Sequence, residues 1–304
     1  LLKTFKESLK KKERGVLSMS IADKKYKNLL QQILNEGEWD RDGKVRPVYS
    51  NGKPAHSKSI FGVQVKFAQG VVPVITSKKT PVQSSINEVV HAFFRLKTNK
   101  LEDFRNLGIS YWEEWADEND TIGNSYGYQL ANQKEWMLVE EETGLKQRLD
   151  QVDAILHRLE HDPYSRRIMF SYWNPDEVHN KSLQECVYTG QFNVRNNRLD
   201  FLLIQRSVDA LLGLPSNWAG YYALQCAMAN LFGYEVGTFT HQMGNVHLYD
   251  NQIELAKELI KEPEFDQPEI WINPDVKNFY DYTVEDIRYV NYKHGKSFRS
   301  EVAI

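Results

Sequence analysis

Cysteine is scarce in this chain. Its 304 residues hold two, Cys186 and Cys226, too few for a disulfide framework and in keeping with a reducing compartment. No apolar run approaches the roughly 20 residues of a membrane span, and no signal-peptide core is seen at the N-terminus. A strong excess of one charge is missing as well. The formal net charge of -3 argues against a polynucleotide-binding face, though a local arginine cluster can still hold a single phosphate. No linker rich in proline, glycine or serine divides the chain, and 41% hydrophobic content suffices for one large core. Metal ligation is not expected. Asp40 and Asp42 lie in a loop without the closing glutamate of a calcium site, and His157 and His161, four apart, lack a third ligand. These absences describe a cytoplasmic protein with no membrane or nucleic-acid partner.

Periodicity supplies the elements. Apolar residues at Tyr26, Leu29, Leu30, Ile33 and Leu34 predict a helix over 23–36 that ends at Gly37. Residues 1–24 form a basic extension, LLKTFKESLKKKER at its start, which reads either as an interaction arm or as a solvated helix. Alternation predicts a strand over 59–67, followed by an apolar run over 71–76 and a mostly buried helix over 83–97 that carries Glu88. Residues 132–145 are polar and acidic and read as a surface insert. Further helices are expected over 149–159, 218–232 and 251–261, and strands over 168–173 and 246–249.

The chemistry concentrates in SLQECVYTGQFNVRNNRLDFLLIQRSVDALLGLPSN, residues 182–217. Two strands, 188–195 and 199–207, joined at Asn196-Asn197, would fold Cys186 back toward Arg206 and Ser207. Guanidinium charge beside a thiol favours the thiolate, the nucleophilic form.

Cys186, Gln191-Phe192, Gln205-Arg206-Ser207, Asp209, Leu212-Gly213-Leu214-Pro215 and Asn217 resemble the thymidylate synthases and the related phage pyrimidine-nucleotide hydroxymethylases. Tyr111-Trp112-Glu113-Glu114-Trp115, Asp162 to Ile168, His247-Leu248-Tyr249 and the ending Val302-Ala303-Ile304 extend the resemblance over residues 25–304, one catalytic domain. It implies an α+β fold, a mixed sheet with flanking helices, whose sheet face is buried in a homodimer. It also implies a one-carbon transfer from 5,10-methylenetetrahydrofolate to a deoxypyrimidine monophosphate.

By the same resemblance Cys186, Glu88, Tyr126, Asp209 and Asn217 are catalytic: Cys186 is the nucleophile, Glu88 and Tyr126 move protons, and Asn217 reads the base. Gln205, Arg206, Ser207 and Arg46 hold the nucleotide, with Arg166 and Arg167 reaching it from the partner subunit, and His247 and Tyr249 hold the sugar. Trp112, Trp115, Asp209, Leu212, Gly213, Ser216 and Ala303 surround the folate, under a C-terminal lid. Read without the family, Arg46, Arg166 and Arg167 are also ordinary surface charge, and Trp112 and Trp115 ordinary core.

Three positions depart from the synthases: Glu185 stands for a proline, Ser216 for a phenylalanine and Asn245 for an aspartate. The phage deoxycytidylate hydroxymethylases lack the synthase residue at the same places. A serine there would open space for water, so the expectation is hydroxymethylation of deoxyuridylate, with reductive methylation to thymidylate as the alternative and a non-catalytic nucleotide-binding homologue as a distant one. His91, where synthases carry a large apolar residue, has no assigned role.

Overall fold

A computed structural model describes residues 20–140 and 142–304. The N-terminal extension up to residue 19 lies outside the described residues.

Helix α1 (Ile21–Glu36) begins two residues before its predicted start because Ser20 caps it, accepting the Asp23 N–H at 3.2 Å. Asp23 is thereby placed in the first turn and fully buried. Its carboxylate accepts the N–H groups of Thr76 and Ser77 at 2.8–3.1 Å and ties α1 to the apolar run over 71–76, which is buried but irregular. Strand β1 (Glu38–Trp39) pairs with β2 (Ser57–Phe67).

The helix expected over 83–97 is two pieces. An α-helical turn, α2 (Val82–Ile86), runs into a π-helical stretch, Asn87–Arg95, that holds Glu88, and its end is marked by Leu96 N–H donating to His91 O at 2.8 Å. Short helices α3 (Leu101–Asn106) and α4 (Gly127–Asn132) follow. The acidic insert is an exposed hairpin, β3 (Lys134–Glu140) with β4 (Leu145–Asp150), leading into α5 (Gln151–His161). Next come β5 (Met169–Ser171), β6 (Val187–Arg195) and β7 (Arg198–Asp209), the last two joined at Asn196 and Asn197, both with positive φ (51° and 58°), as a two-residue hairpin of opposite twist requires.

Helix α6 (Gly213–Phe232) begins five residues earlier than hydropathy predicts, because Pro215 is tolerated in a first turn, and it ends at Gly233 with φ 71°. It crosses α2 so closely that a Cβ on Gly220 would lie 2.5 Å from Ser85 O. Strand β8 (Glu235–Tyr249), helix α7 (Ile253–Leu259) and the hairpin β9 (Glu269–Ile272) with β10 (Ile287–Val290) complete the described elements.

The main sheet has the order β1-β2-β8-β7-β6-β5, with β7 and β8 parallel and the other pairs antiparallel. One face packs on α1, α6 and the π-helical stretch. Leu199, Phe201, Leu203 and Gln205 point into it from β7. The other face is only half covered. Phe61 is 85% exposed there, beside a cavity of about 560 Å³ lined by Tyr188, Ile204, Arg206 and Met243. Among the described residues no helix is long and apolar enough to cross a membrane.

Candidate functional site

Cys186 sits where the chain enters β6, and the hairpin brings it to β7 as the turn signal predicts. Its N–H donates to Tyr126 Oη at 3.1 Å, and its carbonyl accepts the Arg206 N–H at 2.8 Å. Arg206 donates from Nε to Glu185 O and from Nη2 to Gln184 O, both at 2.8 Å, so the guanidinium clasps the loop that carries the thiol. The expected thiolate needs correcting. Burial pushes the Cys186 thiol above its ordinary range, and the pull of Arg206 and Arg46 offsets only part of that rise. Cys226, on α6, is buried and its thiol is pushed up to about 12.

Tyr126 adopts φ 44° and ψ -102°, a region that costs a non-glycine residue on the order of 1–3 kcal/mol. Gly127 permits it by seating directly on Thr98, where a Cβ would lie 2.4 Å from the carbonyl oxygen. The Tyr126 ring stacks on Phe93 at 4.6 Å and meets Trp112 edge-on at 5.5 Å. Trp112 Nε1 donates to Glu88 Oε1 at 2.6 Å. Burial raises the Glu88 carboxyl to about 7, with the hydrogen bonds from Trp112 and Tyr111 pulling the other way. Near neutral pH such a group can give or take a proton. Trp115 packs edge-on against Trp112 at 5.5 Å.

The Asn217 amide donates from Nδ2 to Gln205 Oε1 at 3.0 Å, and Gln205, itself buried, donates to Ser207 O at 2.8 Å. One face of Asn217 is thus oriented from β7. Ser207 lies opposite Asn245 in the parallel register. His247 Nδ1 donates to Asn245 Oδ1 at 2.8 Å, and burial lowers the histidine's pKa despite Asp209 and Asp40, leaving a neutral ring whose Nε2 is an acceptor. Tyr249 stands edge-on to that ring at 5.0 Å.

Asp209 Oδ1 accepts the N–H groups of Leu211 and Leu212, each at 2.8 Å, and Oδ2 accepts Gln252 Nε2 at 2.9 Å. It therefore shapes the turn that presents Leu212, Gly213 and the half-buried Ser216 at the start of α6.

The C-terminal residues are already folded over. Val48 and Ile304 exchange both backbone hydrogen bonds, at 2.9 and 3.0 Å, and Asn251 Nδ2 donates to Glu301 O at 3.1 Å. The chain end, Ala303 included, is thus joined to the loop that carries Arg46. Arg46 is exposed yet near enough to favour ionisation of Cys186 and Tyr249. Arg166 and Arg167 are not brought to this cysteine. The register Met169↔Gln191 sets them beside the far half of β6, roughly 20 Å from Cys186 at about 3.3 Å per residue.

Sequence reasoning missed three groups near the site. Lys78 is buried, donates to Leu211 O and is lowered to about 8 by desolvation. Gln252 spans Asp209 and Ser300 Oγ. Lys181 meets Glu185 at 2.8 Å. Nothing in their spacing sets them apart from surface residues, since only the tertiary fold buries them.

The thymidylate synthase family model matches residues 24–304. Thymidylate synthase 1 of Bacillus subtilis (strain 168) is 37% identical over 287 residues, 94% of this chain and 100% of that protein, and the thymidylate synthase of Bacillus phage phi3T is 36% identical over the same length. The solved thermostable thymidylate synthase A from Bacillus subtilis superposes with a TM-score of 0.84 at 37% identity, covering 93% of this chain and 99% of that one. These full-length likenesses overturn the expected hydroxymethylation of deoxyuridylate. Two of the residues on which that expectation rested make internal contacts, Glu185 with Lys181 and Asn245 with His247. The α+β fold with a central mixed sheet, the ordered motifs and the match along nearly the whole chain lead to one conclusion: the chain belongs to the thymidylate synthase family.

Proposed function

We propose that this protein converts deoxyuridylate to thymidylate by reductive methylation. The observation that carries the reading is that Cys186 bonds Tyr126, Tyr126 packs on Trp112, Trp112 bonds Glu88, and Asn217 is held by Gln205 on the strand paired with the one Cys186 enters. A uracil C5 is too weak a nucleophile for one-carbon transfer. Attack of a thiolate at C6 turns the ring into an enolate, and C5 then reacts. Nucleotide binding would bring the ring against Cys186 beside Arg206 and Arg46, the two charges that favour the thiolate. Asn217, held by Gln205, offers its carbonyl to N3–H and its remaining N–H to O4, a pattern uracil presents and cytosine does not. Tyr126 helps take away the C5 proton, which does not return, Glu88 gives and takes the proton at O4, and the Cys186–C6 bond breaks as the ring regains its double bond.

5,10-Methylenetetrahydrofolate supplies the one-carbon unit and the hydride. The residues present fit it. Trp112 and Trp115 offer an apolar wall, a Cβ on Gly213 would meet only Asp209 Cβ at 3.9 Å, and Asp209 Oδ2 has capacity for a further donor. The paired Val48 and Ile304 would exclude water from that side.

The working unit in this reading is a homodimer joined through the half-covered sheet face, with Arg166 and Arg167 reaching the partner's phosphate. Exposed Phe61 and the position of both arginines, far from their own Cys186, support it. Residues 25–304 form its catalytic domain, and a cytoplasmic location suits the two free cysteines. The test is the product. Purified protein given deoxyuridylate and methylenetetrahydrofolate should form thymidylate and dihydrofolate in equal amounts, read by nucleotide mass and folate absorbance. A hydroxymethylated nucleotide with tetrahydrofolate, or no product, would refute the reading.

A further inference from the structure

The segment leading to the cysteine carries a charge pair that the chemistry above does not use. Lys181 Nζ lies 2.8 Å from Glu185 Oε2, and the two side chains are 1% and 0% exposed. The ammonium also approaches Tyr172 O at 3.4 Å and stands 5.9 Å over the Trp173 ring, the same ring that Arg206 faces at 5.9 Å. Glu185 Oε1 is buried and has no hydrogen-bond partner among the described residues. A buried ion pair with an unsatisfied oxygen is a poor way to gain stability. Its location is specific, one residue before the nucleophile, and both hydrogen bonds from the Arg206 guanidinium end on that segment, at Gln184 and Glu185.

We propose that the Lys181–Glu185 pair holds the Cys186 loop and fixes the electrostatic potential in which its thiolate forms, making Glu185 a positioning residue for the nucleophile. This rests on the reading of Cys186 as nucleophile. The other groups facing the thiol are Arg206 and Asp209 from β7, Arg46 from the loop before β2, Tyr126 before α4, Tyr221 on α6 and Tyr249 at the end of β8. The two arginines favour the thiolate, and Glu185 and Asp209 oppose it. Glu185 likewise makes Tyr126 and Tyr221 hold their protons harder. The pair thus presents its negative end to the reacting groups.

The experiment is the pH dependence of iodoacetamide alkylation of the full chain, with the modified cysteine assigned by peptide mass. No deoxyuridylate or folate is present, so the result stays readable even if the product assay fails. Glu185→Gln should lower the midpoint at Cys186 by about one unit. The rate at pH 7 then rises about threefold, because roughly tenfold more thiolate is offset by its weaker nucleophilicity. Lys181→Arg, which keeps the positive charge beside Glu185, should leave the midpoint close to that of the wild type. The double variant Lys181→Met/Glu185→Gln buries no net charge, so it tests the idea even if a single variant fails to fold. Its midpoint should fall, by less than in Glu185→Gln. Single variants that shift together, or a double variant matching the wild type, would overturn the proposal.

Discussion

The floor and the rim of the site are built on opposite terms. On the floor, Glu88, Tyr126, Gln205, Asn217 and His247 each have an intramolecular partner and a fixed direction. On the rim, Arg46, Arg166 and Arg167 are exposed, and the C-terminal residues are held by main-chain bonds at Val48, by the Ser50 N–H and by the side-chain amides of Asn251 and Gln252. The floor has met the cost of ordering its groups in folding. The rim arginines are exposed charges, so they gain most when an anion such as a phosphate arrives. Floor residues should therefore govern turnover, and rim residues affinity.

The sharpest way to break that contrast is Cys186→Ala. Turnover should fall by at least about ten-thousandfold, in the range seen when a nucleophile is removed, while the nucleotide dissociation constant stays within a few-fold. Steady-state kinetics and calorimetry check it. Equal loss of binding would place the cysteine among the binding groups.

A smaller effect tests whether the rim belongs to two chains. Assayed with deoxyuridylate well below its dissociation constant, where weakened binding reads as lost rate, Arg166→Ala and Cys186→Ala chains, each with little activity alone, should recover about a quarter of wild-type activity when mixed one to one. Half of the dimers are then mixed, and each mixed dimer has one intact site. Verified mixed dimers without activity would show that each site is built within one chain.

The smallest effect lies in stability. Because the Glu88 carboxyl is raised to about 7 in the folded chain from an ordinary 4.5, the folded state holds its proton more tightly than the unfolded chain. The resulting stabilisation is fully present below about 4.5 and is lost as pH rises through about 7. Glu88→Gln removes this dependence. Its melting temperature relative to wild type should climb between pH 5 and 8, and a flat difference would mean that Glu88 is not buried as an acid.

Much of the floor was legible in the sequence. Asn196-Asn197 is a turn signal whatever surrounds it, and two β-rich runs beside it leave few ways to set Cys186 other than against Arg206. Motifs of contiguous residues, such as Gln205-Arg206-Ser207, carried the rest. Properties that depend on burial were not legible. Arg206 beside a thiol suggests a thiolate until the fold removes water from around the sulfur. Glu185 and Asn245 read as departures that change the polar surroundings of the base, and only the fold shows them bonded to Lys181 and His247. Lys78 and Gln252, far from the motif in sequence, gave no sign of lying beside it. The helix over 83–97 was readable as a helix, but not the π-helical winding that sets the direction of Glu88.

The contrast between floor and rim is tested most directly by measuring turnover and nucleotide affinity for one residue of each, Glu88→Gln and Arg46→Ala, in the same buffer. Glu88→Gln should lower kcat by about a hundredfold or more and leave the dissociation constant within about threefold. Arg46→Ala should weaken binding about tenfold and leave kcat within about threefold. The reverse pattern, with affinity lost at Glu88 and turnover lost at Arg46, would contradict the account.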